Sequence, residues 1–235
     1  MKRHIPNFIT CLNLFAGCMA CVMAFQALFF HAFLWILLAA VFDFLDGMAA
    51  RLLKAYSPLG KELDSLADVV SFGVAPGLIV YAVLKQICSN VWGNDGGMLC
   101  LLIPCAAFLI PVFSALRLAK FNLDERQTTS FIGLPVPANA IFWASFIAGT
   151  TQYTNENGFL YGSITLLLIV VFSFLLISEI PMFSLKVKNL SWKGNQRRYI
   201  LIIASILAVL LLKSAGLSVA ILLYILLSLG EPRKR

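Results

Sequence analysis

The stretch that decides the fold runs from residue 41 to residue 68 and reads VFDFLDGMAARLLKAYSPLGKELDSLAD. It holds four aspartates in two pairs, Asp43 with Asp46 and Asp64 with Asp68, on either side of a short polar connection. The members of a pair are three or four residues apart, so both carboxylates of a pair face one side of a helix. Two neighbouring antiparallel helices would therefore direct four carboxylates towards one point.

The sequence around this stretch is typical of a membrane protein. Of its 235 residues, 60% are hydrophobic and 12% are charged, whereas a soluble domain usually carries about 25% charged residues. Apolar runs of roughly 20 residues, the length that a bilayer core demands, predict eight transmembrane helices. They lie at about 6–25, 30–50, 64–85, 97–117, 135–152, 158–179, 198–213 and 215–230.

The predicted fold class is thus all-α, a polytopic membrane helix bundle. Residues 1–235 are expected to form a single membrane domain, because no separate soluble module is evident. Its catalytic core would span about residues 5–180 and contain six transmembrane helices. Two further C-terminal helices would occupy about residues 198–230.

The distribution of charge predicts the orientation in the membrane. With the N-terminus inside, the inner segments hold 16 of the 18 Lys and Arg residues, and the outer segments hold only Lys85 and Lys213. This asymmetry places both termini and the acidic stretch on the cytoplasmic side of a cell inner or plasma membrane. The net charge of +7 is then explained by topology and anionic lipid, and no nucleic-acid partner is expected. The basic loop 180–197 is read as a topogenic segment, with a dedicated lipid-binding site as the alternative.

The six cysteines point to packing rather than to a metal or redox site. Cys18 and Cys21 form a single CxxC inside the first apolar run, without the second pair or the His cluster that a zinc site needs. Cys88 and Cys100 would both lie near the outer side. Whether these two pair in a disulfide is left open.

Four converging carboxylates repel one another unless cations or protons compensate them. Mg²⁺ and Mn²⁺ prefer oxygen ligands and often bridge carboxylates to phosphates, and a two-metal site can stabilise an in-line displacement at phosphorus. Gly47 and Gly60 would let a bulky ligand approach the backbone, and Arg51 could bind a diphosphate. The alternative is a set of helix-cap residues, which suits Asp64 alone but not intramembrane Asp43 and Asp68.

The spacing Asp43-x2-Asp46-Gly47-x2-Ala50-Arg51-x8-Gly60-x3-Asp64-x3-Asp68 resembles the signature of the CDP-alcohol phosphatidyltransferase family. The resemblance implies a dimeric membrane enzyme in which the four aspartates hold two divalent ions, Mg²⁺ or Mn²⁺, and Asp68 is also the general base. It implies that Gly47, Arg51 and Gly60 contact the CDP group. Asn7 and Thr10, in a Pro-Asn-x-x-Thr element, resemble the cytidine-side contacts.

Three further segments resemble the serine-using branch of this family, which would transfer a phosphatidyl group from CDP-diacylglycerol to L-serine and release CMP. They read DSLADVVSFGVAP at 64–76, RLAKFN at 117–122 and FIGLPVPA at 131–138. Arg117, Lys120 and Asn122 are candidate contacts for the serine. Arg117 and Lys120 could equally be interfacial anchors. They would also suit glycerol 3-phosphate, the acceptor of the phosphatidylglycerophosphate synthases.

Two other classes of protein fit the sequence less well. An ion-coupled transporter would place its carboxylates near the bilayer midplane between repeated halves, and this chain has neither feature. A non-catalytic scaffold would not need the complete acidic motif. The sequence therefore favours the transferase.

Overall fold

The computed structural model describes residues 4–93, 97–123, 131–154, 156–182 and 195–229. They form a bundle of α-helices, as predicted. In chain order the α-helices are α1 (His4–Phe25), α2 (Phe29–Leu52), α3 (Pro58–Asp68), α4 (Ala75–Trp92), α5 (Gly97–Leu102), α6 (Leu109–Leu123), α7 (Val136–Thr150), α8 (Gly158–Ile177), α9 (Gln196–Leu212) and α10 (Ala215–Leu229).

Two of the long passages are composite helices. A π-helical stretch at Val69–Val74 joins α3 to α4, and a 3₁₀ stretch at Ile103–Phe108 joins α5 to α6. The main chain therefore runs as one helix from residue 58 to 92 and as another from 97 to 123. A short 3₁₀ turn, Thr151–Thr154, extends α7.

The start of the third helical passage was predicted wrongly. Asp64 was expected to open this helix, but the helix begins six residues earlier, at Pro58. Ser57 caps it by accepting a hydrogen bond from the Gly60 backbone N–H at 3.0 Å, and Pro58 occupies the first turn, where its missing N–H costs nothing. The polar composition of residues 57–63 concealed this start, because the length of an apolar run does not show how far a helix extends into a polar segment.

The bundle has the dimensions and the surface of a membrane protein. Among the described residues, five helices are long and apolar enough to cross a bilayer: His4–Phe25, Phe29–Leu52, Pro58–Val91, Gly97–Leu123 and Gly158–Ile177. Many large apolar side chains on them are exposed, Phe8, Phe44 and Leu167 among them. Such a surface suits lipid rather than water, so the chain is an integral membrane protein.

Antiparallel packing gives the bundle two distinct ends. α1 packs along α2, α3 and α4, while α7 contacts α2, α4 and α10, and α8 packs on α6 and α4. The end that contains the α2–α3 connection is here called the site end. The opposite end, which contains the α4–α5 and α7–α8 connections, is called the far end.

A short strand pair lies at the site end. At the site end, Phe131–Ile132 (β1) pairs antiparallel with Pro181–Met182 (β2). Gly133 follows with φ +76°, and a Cβ there would lie 2.8 Å from the carbonyl oxygens of Leu176 and Ser178. Glycine is therefore required at this turn. The C-terminal hairpin attaches through α10, which packs on α7.

The structure bears on the question of the Cys88–Cys100 pair but not on the basic loop. Cys88 and Cys100 are free thiols in the structure, as are the other four cysteines. The basic segment 180–197 was interpreted as a topogenic segment, and its residues 183–194 are outside the described residues.

Candidate active site

Three of the four aspartates meet at the site end. Asp43 comes from α2, and Asp64 and Asp68 come from successive turns of α3. One carboxylate oxygen from each lies within 4.8 Å of the other two. Asp68 is 7% exposed, and Asp64 Oδ1 is buried without a hydrogen-bond partner. Carboxylates this close repel one another unless a cation or a proton compensates their charge.

Asp46 lies outside that group of three but is held beside it. It is 6% exposed, and it interacts electrostatically with Asp64. The hydroxyl of Thr10, on α1, donates a hydrogen bond of 2.6 Å to Asp46 Oδ2. A short bond to a carboxylate is among the stronger hydrogen bonds in proteins, so Thr10 fixes the orientation of Asp46.

Asn13 is a polar residue of the site that the sequence analysis missed. It is fully buried on α1, and its Nδ2 donates to Asp68 Oδ1 at 3.2 Å. Ser71, in the π-helical stretch, donates to the Asn13 carbonyl oxygen at 3.0 Å. The signal was present: Thr10, Asn13 and Gly17 share one face of an apolar helix.

A close approach of backbones supports this contact. A Cβ on Gly17 would lie 2.7 Å from the Cα of Ser71, so a larger residue would push α1 away from the π-helical stretch. Asn13 and Asp68 meet because the two helices touch here. Glycine at position 17 thus sets the distance between α1 and the acidic helix.

The residues matched to the CDP group lie on α1, α2 and α3, the helices that carry the aspartates or contact them. A Cβ on Gly60 would lie 3.0 Å from Asn7 Oδ1, so the start of α1 and the start of α3 are in contact. A Cβ on Gly47 would lie 3.8 Å from an Arg51 guanidinium nitrogen. Arg51 itself is exposed at the end of α2, where a soluble group can reach it.

The three residues matched to the acceptor lie in different surroundings. Arg117 is 6% exposed, its guanidinium carbon is 5.0 Å from the centroid of the Phe121 ring, and it interacts electrostatically with Asp68. Its Nε and Nη2 atoms are buried without a hydrogen-bond partner. Lys120 instead forms an exposed ion pair of 3.9 Å with Glu179.

Asn122 ties the end of α6 to α3. Its Nδ2 donates to Ser65 Oγ at 2.8 Å, and its backbone carbonyl accepts from Lys61 Nζ at 3.4 Å. These contacts bring the helix that carries Arg117 beside the helix that carries Asp64 and Asp68. Of the three residues, Arg117 alone presents a buried charge to the carboxylates.

The residues fit divalent cations. The three close carboxylates are oxygen donors of the type that Mg²⁺ and Mn²⁺ prefer. In the part of the chain that the structure describes, none of these carboxylates forms an ion pair with Lys or Arg. Converging carboxylates and a nearby guanidinium in a membrane helix bundle are typical of a metal-dependent enzyme that acts on a phosphate-bearing substrate.

The chain belongs to the CDP-alcohol phosphatidyltransferase family, whose model matches residues 3–179. This confirms the resemblance drawn from the acidic motif. The family is generally dependent on a divalent metal, in agreement with the cluster of aspartates.

Similar proteins include the CDP-diacylglycerol–serine O-phosphatidyltransferase of Helicobacter pylori (strain ATCC 700392 / 26695). It is 32% identical over 228 residues, which are 94% of this chain and 87% of that protein. The protein of the same name from Bacillus subtilis (strain 168) is 38% identical over 139 residues, 57% of this chain and 70% of its own length. That of Methanocaldococcus jannaschii is 35% identical over 149 residues, 63% of each chain.

Proposed function

We propose that this enzyme transfers the phosphatidyl group of CDP-diacylglycerol to the hydroxyl of L-serine, giving phosphatidylserine and CMP in phospholipid biosynthesis. The observation that carries the proposal is the pair of buried Arg117 nitrogens, Nε and Nη2, that have no hydrogen-bond partner in a guanidinium that interacts electrostatically with Asp68. Buried donors without an acceptor cost free energy unless a ligand supplies one. The carboxylate of serine is such a ligand, and the names of the similar proteins agree with it.

The reaction is an exchange of one P–O bond for another. Asp68, held by Asn13, takes the proton of the serine hydroxyl. The serine oxygen forms a bond to the β-phosphorus of CDP-diacylglycerol, and the bond between that phosphorus and the bridging oxygen breaks. The bridging oxygen leaves on the α-phosphate as CMP. The phosphatidyl group is then bonded to the serine oxygen, and the product is phosphatidylserine.

Asp43, Asp46, Asp64 and Asp68 would hold two divalent ions, Mg²⁺ or Mn²⁺. When bound, such ions neutralise the diphosphate and the charge that develops on the departing CMP. Thr10 keeps Asp46 oriented for this role. Removal of divalent ions by a chelator should abolish CMP release, and titration with each metal should restore it.

The CDP group is assigned to the surface between the starts of α1 and α3. Gly47 and Gly60 leave room for the diphosphate, Arg51 binds it with a fork of donors, and Asn7 and Thr10 lie on the cytidine side. The acyl chains of CDP-diacylglycerol remain in the surrounding membrane lipid and reach the site sideways between helices.

Serine is assigned to the space beside Arg117. Lys120 contributes less to serine binding, because it already forms an ion pair with Glu179. It would attract the serine carboxylate only by its charge. Asn122 supports the subsite by joining α6 to α3. Glycerol 3-phosphate carries a phosphate, whose negative charge is larger than that of the serine carboxylate. Arg117 is the buried cation at this subsite, so the single charge of a carboxylate matches it better.

One experiment tests the choice of acceptor. Purified protein receives CDP-diacylglycerol, a divalent metal and labelled L-serine, glycerol 3-phosphate or inositol, and lipid-soluble label is measured. We expect label from serine. Label from glycerol 3-phosphate alone would make the enzyme a phosphatidylglycerophosphate synthase instead. If no acceptor gave metal-dependent CMP release, the transferase proposal would be contradicted.

The site is proposed to face the cytoplasm, with both termini on that side of the cell inner or plasma membrane. The excess of basic residues in the sequence segments expected to lie inside supports this orientation. The test uses Tyr56→Cys, exposed at the site end, and Glu156→Cys, exposed at the far end, in a background without other cysteines. An impermeant maleimide added to intact cells should label Glu156→Cys only; labelling of Tyr56→Cys would reverse the orientation.

Residues 1–235 are proposed to form a single membrane domain with a catalytic core at about 5–180, in agreement with the extent of the family match. The helices at about 198–230 would be an addition. A homodimer is also proposed, and light scattering of the purified protein in detergent, corrected for bound detergent, would test it. A mass of one chain would contradict the dimer.

A further inference from the structure

Two polar groups beside Asp68 are buried and unpaired. One is the side-chain oxygen of Asn13, and the other comprises the Nε and Nη2 atoms of Arg117. Asn13 is fully buried, and Arg117 is almost so. Buried polar atoms nearly always have a partner, and leaving one unsatisfied costs about 1–3 kcal/mol. Both groups touch or face the same carboxylate, which is assigned as the base.

The orientation of the Asn13 amide follows from chemistry. An ionised carboxylate only accepts hydrogen bonds, so the amide atom 3.2 Å from Asp68 Oδ1 is the nitrogen. The amide oxygen therefore points away from Asp68 and needs a donor. Arg117 has donors only and needs an acceptor. A molecule that satisfies both groups carries a donor at one end and an anion at the other.

We propose that the Asn13 side-chain oxygen receives the ammonium group of the amino-acid substrate, so that Asn13 selects amino acids among hydroxyl-bearing acceptors. This inference rests on the proposed transfer to serine and adds a subsite to it. The serine carboxylate lies at Arg117, its ammonium group at Asn13 and its hydroxyl at Asp68.

The covalent structure of serine suits this placement. Its hydroxyl and ammonium groups are carried by adjacent carbon atoms, and the two polar atoms of the Asn13 amide are attached to a single carbon. A substrate whose ammonium group donates to the amide oxygen therefore has its hydroxyl close to the carboxylate that the amide nitrogen holds. Glycerol 3-phosphate has no ammonium group and leaves Asn13 less well satisfied.

The test compares two acceptors in Asn13→Leu, which removes both amide contacts, and Asn13→Asp, which keeps an acceptor for ammonium but loses the donor to Asp68. The acceptors are L-serine and 3-hydroxypropanoate, which lacks only the ammonium group. Where turnover of the second is too slow to follow, its inhibition of serine transfer gives its affinity. A hydrogen bond to a charged group contributes about 1.5–3 kcal/mol. We expect the preference for serine to fall about ten- to a hundred-fold in Asn13→Leu and to persist in Asn13→Asp, although that variant turns over more slowly.

Ser71→Ala is the matched control. It removes a hydrogen bond to the Asn13 backbone but no group assigned to the substrate, so both acceptors should lose the same factor. Equal losses for both acceptors in Asn13→Leu would reduce Asn13 to a residue that positions Asp68. A changed Mg²⁺ requirement in Asn13→Leu with an unchanged preference would mean that Asn13 acts only through the metal ligand Asp68, which also overturns the proposal.

The proposed function and this inference fail in different ways. A wild-type enzyme that releases CMP but transfers no serine contradicts the choice of serine itself. A wild-type enzyme that transfers serine, with the same acceptor preference in all Asn13 variants, contradicts the ammonium subsite alone.

Discussion

The two ends of the bundle are packed by different means. At the site end, polar side chains join separate helices: Thr10 binds Asp46, Asn13 binds Asp68 and Asn122 binds Ser65. At the far end, α4, α8 and the 3₁₀ stretch enclose a groove of about 210 Å³ with apolar residues such as Leu84, Ile87 and Leu166, although the hydroxyls of Thr150 and Tyr161 also share a hydrogen bond of 2.7 Å between α7 and α8. The site end therefore differs in that its polar contacts hold carboxylates, whereas the far end combines a polar contact with an apolar groove.

The largest effect is expected at the centre of the site end. Asp68→Asn keeps the shape of the side chain but cannot accept the hydroxyl proton, and general-base catalysis contributes roughly 10²–10⁴-fold. We expect CMP release in the presence of serine to fall by at least that factor at saturating metal, with the variant still folded in detergent. Wild-type turnover would show that another group is the base.

The second prediction concerns Arg117→Ala. Loss of a charge-assisted contact of about 1.5–3 kcal/mol should raise the KM for serine about ten- to a hundred-fold, while the KM for CDP-diacylglycerol changes little. Lys120→Ala, which breaks an exposed ion pair, should have a much smaller effect. Lys85→Ala, at an exposed far-end position, is the control. An equal rise of KM for both substrates would place Arg117 at the diphosphate.

A third prediction concerns the support of Asp46. Thr10→Val removes the hydroxyl that donates to Asp46 at almost constant volume. Residues that orient a metal ligand typically change metal affinity by about 10–100-fold, so the Mg²⁺ concentration for half-maximal activity should rise by about tenfold. Thr165→Val removes a buried hydroxyl that bonds only within α8 and should leave this concentration unchanged. An equal shift in the two variants would remove the special role of Thr10.

The smallest effect is expected at the far end. A Cβ on Gly162 would make an ordinary contact of 3.5 Å with Ile87 at the groove, so Gly162→Ala should keep wild-type transfer and stabilise the protein by about 0.4–1 kcal/mol. Gly17→Ala, at the site end, meets the backbone of Ser71 instead and should destabilise by about 1–3 kcal/mol. Thermal unfolding in detergent measures both, and a loss of activity in Gly162→Ala would show that the two ends are coupled.

Much of the fold followed from the sequence because apolar run length and basic residues are local signals. The hydrophobic runs located the helices to within several residues, and the spacing of the aspartates placed them on facing helices, where the structure brings three of them within 4.8 Å. Asn13 was missed although it shares a helix face with Thr10 and Gly17, because its partner is 55 residues away and the shared face does not identify that partner. The start of α3 was missed because the Ser57 cap lies in a polar segment.

The different surroundings of Arg117 and Lys120 also could not be predicted. They are three residues apart and read alike in the sequence as basic residues at a helix end. One turns inward beside Phe121, and the other points outward to Glu179. The distinction depends on how α6 lies against its neighbours, which is a property of tertiary packing.

The π-helical stretch at Val69–Val74 acts as a rotational coupling in the middle of a continuous helix. Its wider turn changes the angle at which the following residues leave the axis, so α3 can direct its polar face to the carboxylate group and α4 can direct an apolar face to α7 and α8. A loop would achieve the same change of direction, but its unpaired backbone groups are not tolerated in hydrocarbon. The two halves of this continuous helix thus pack against different helices, and its main chain is not exposed to lipid.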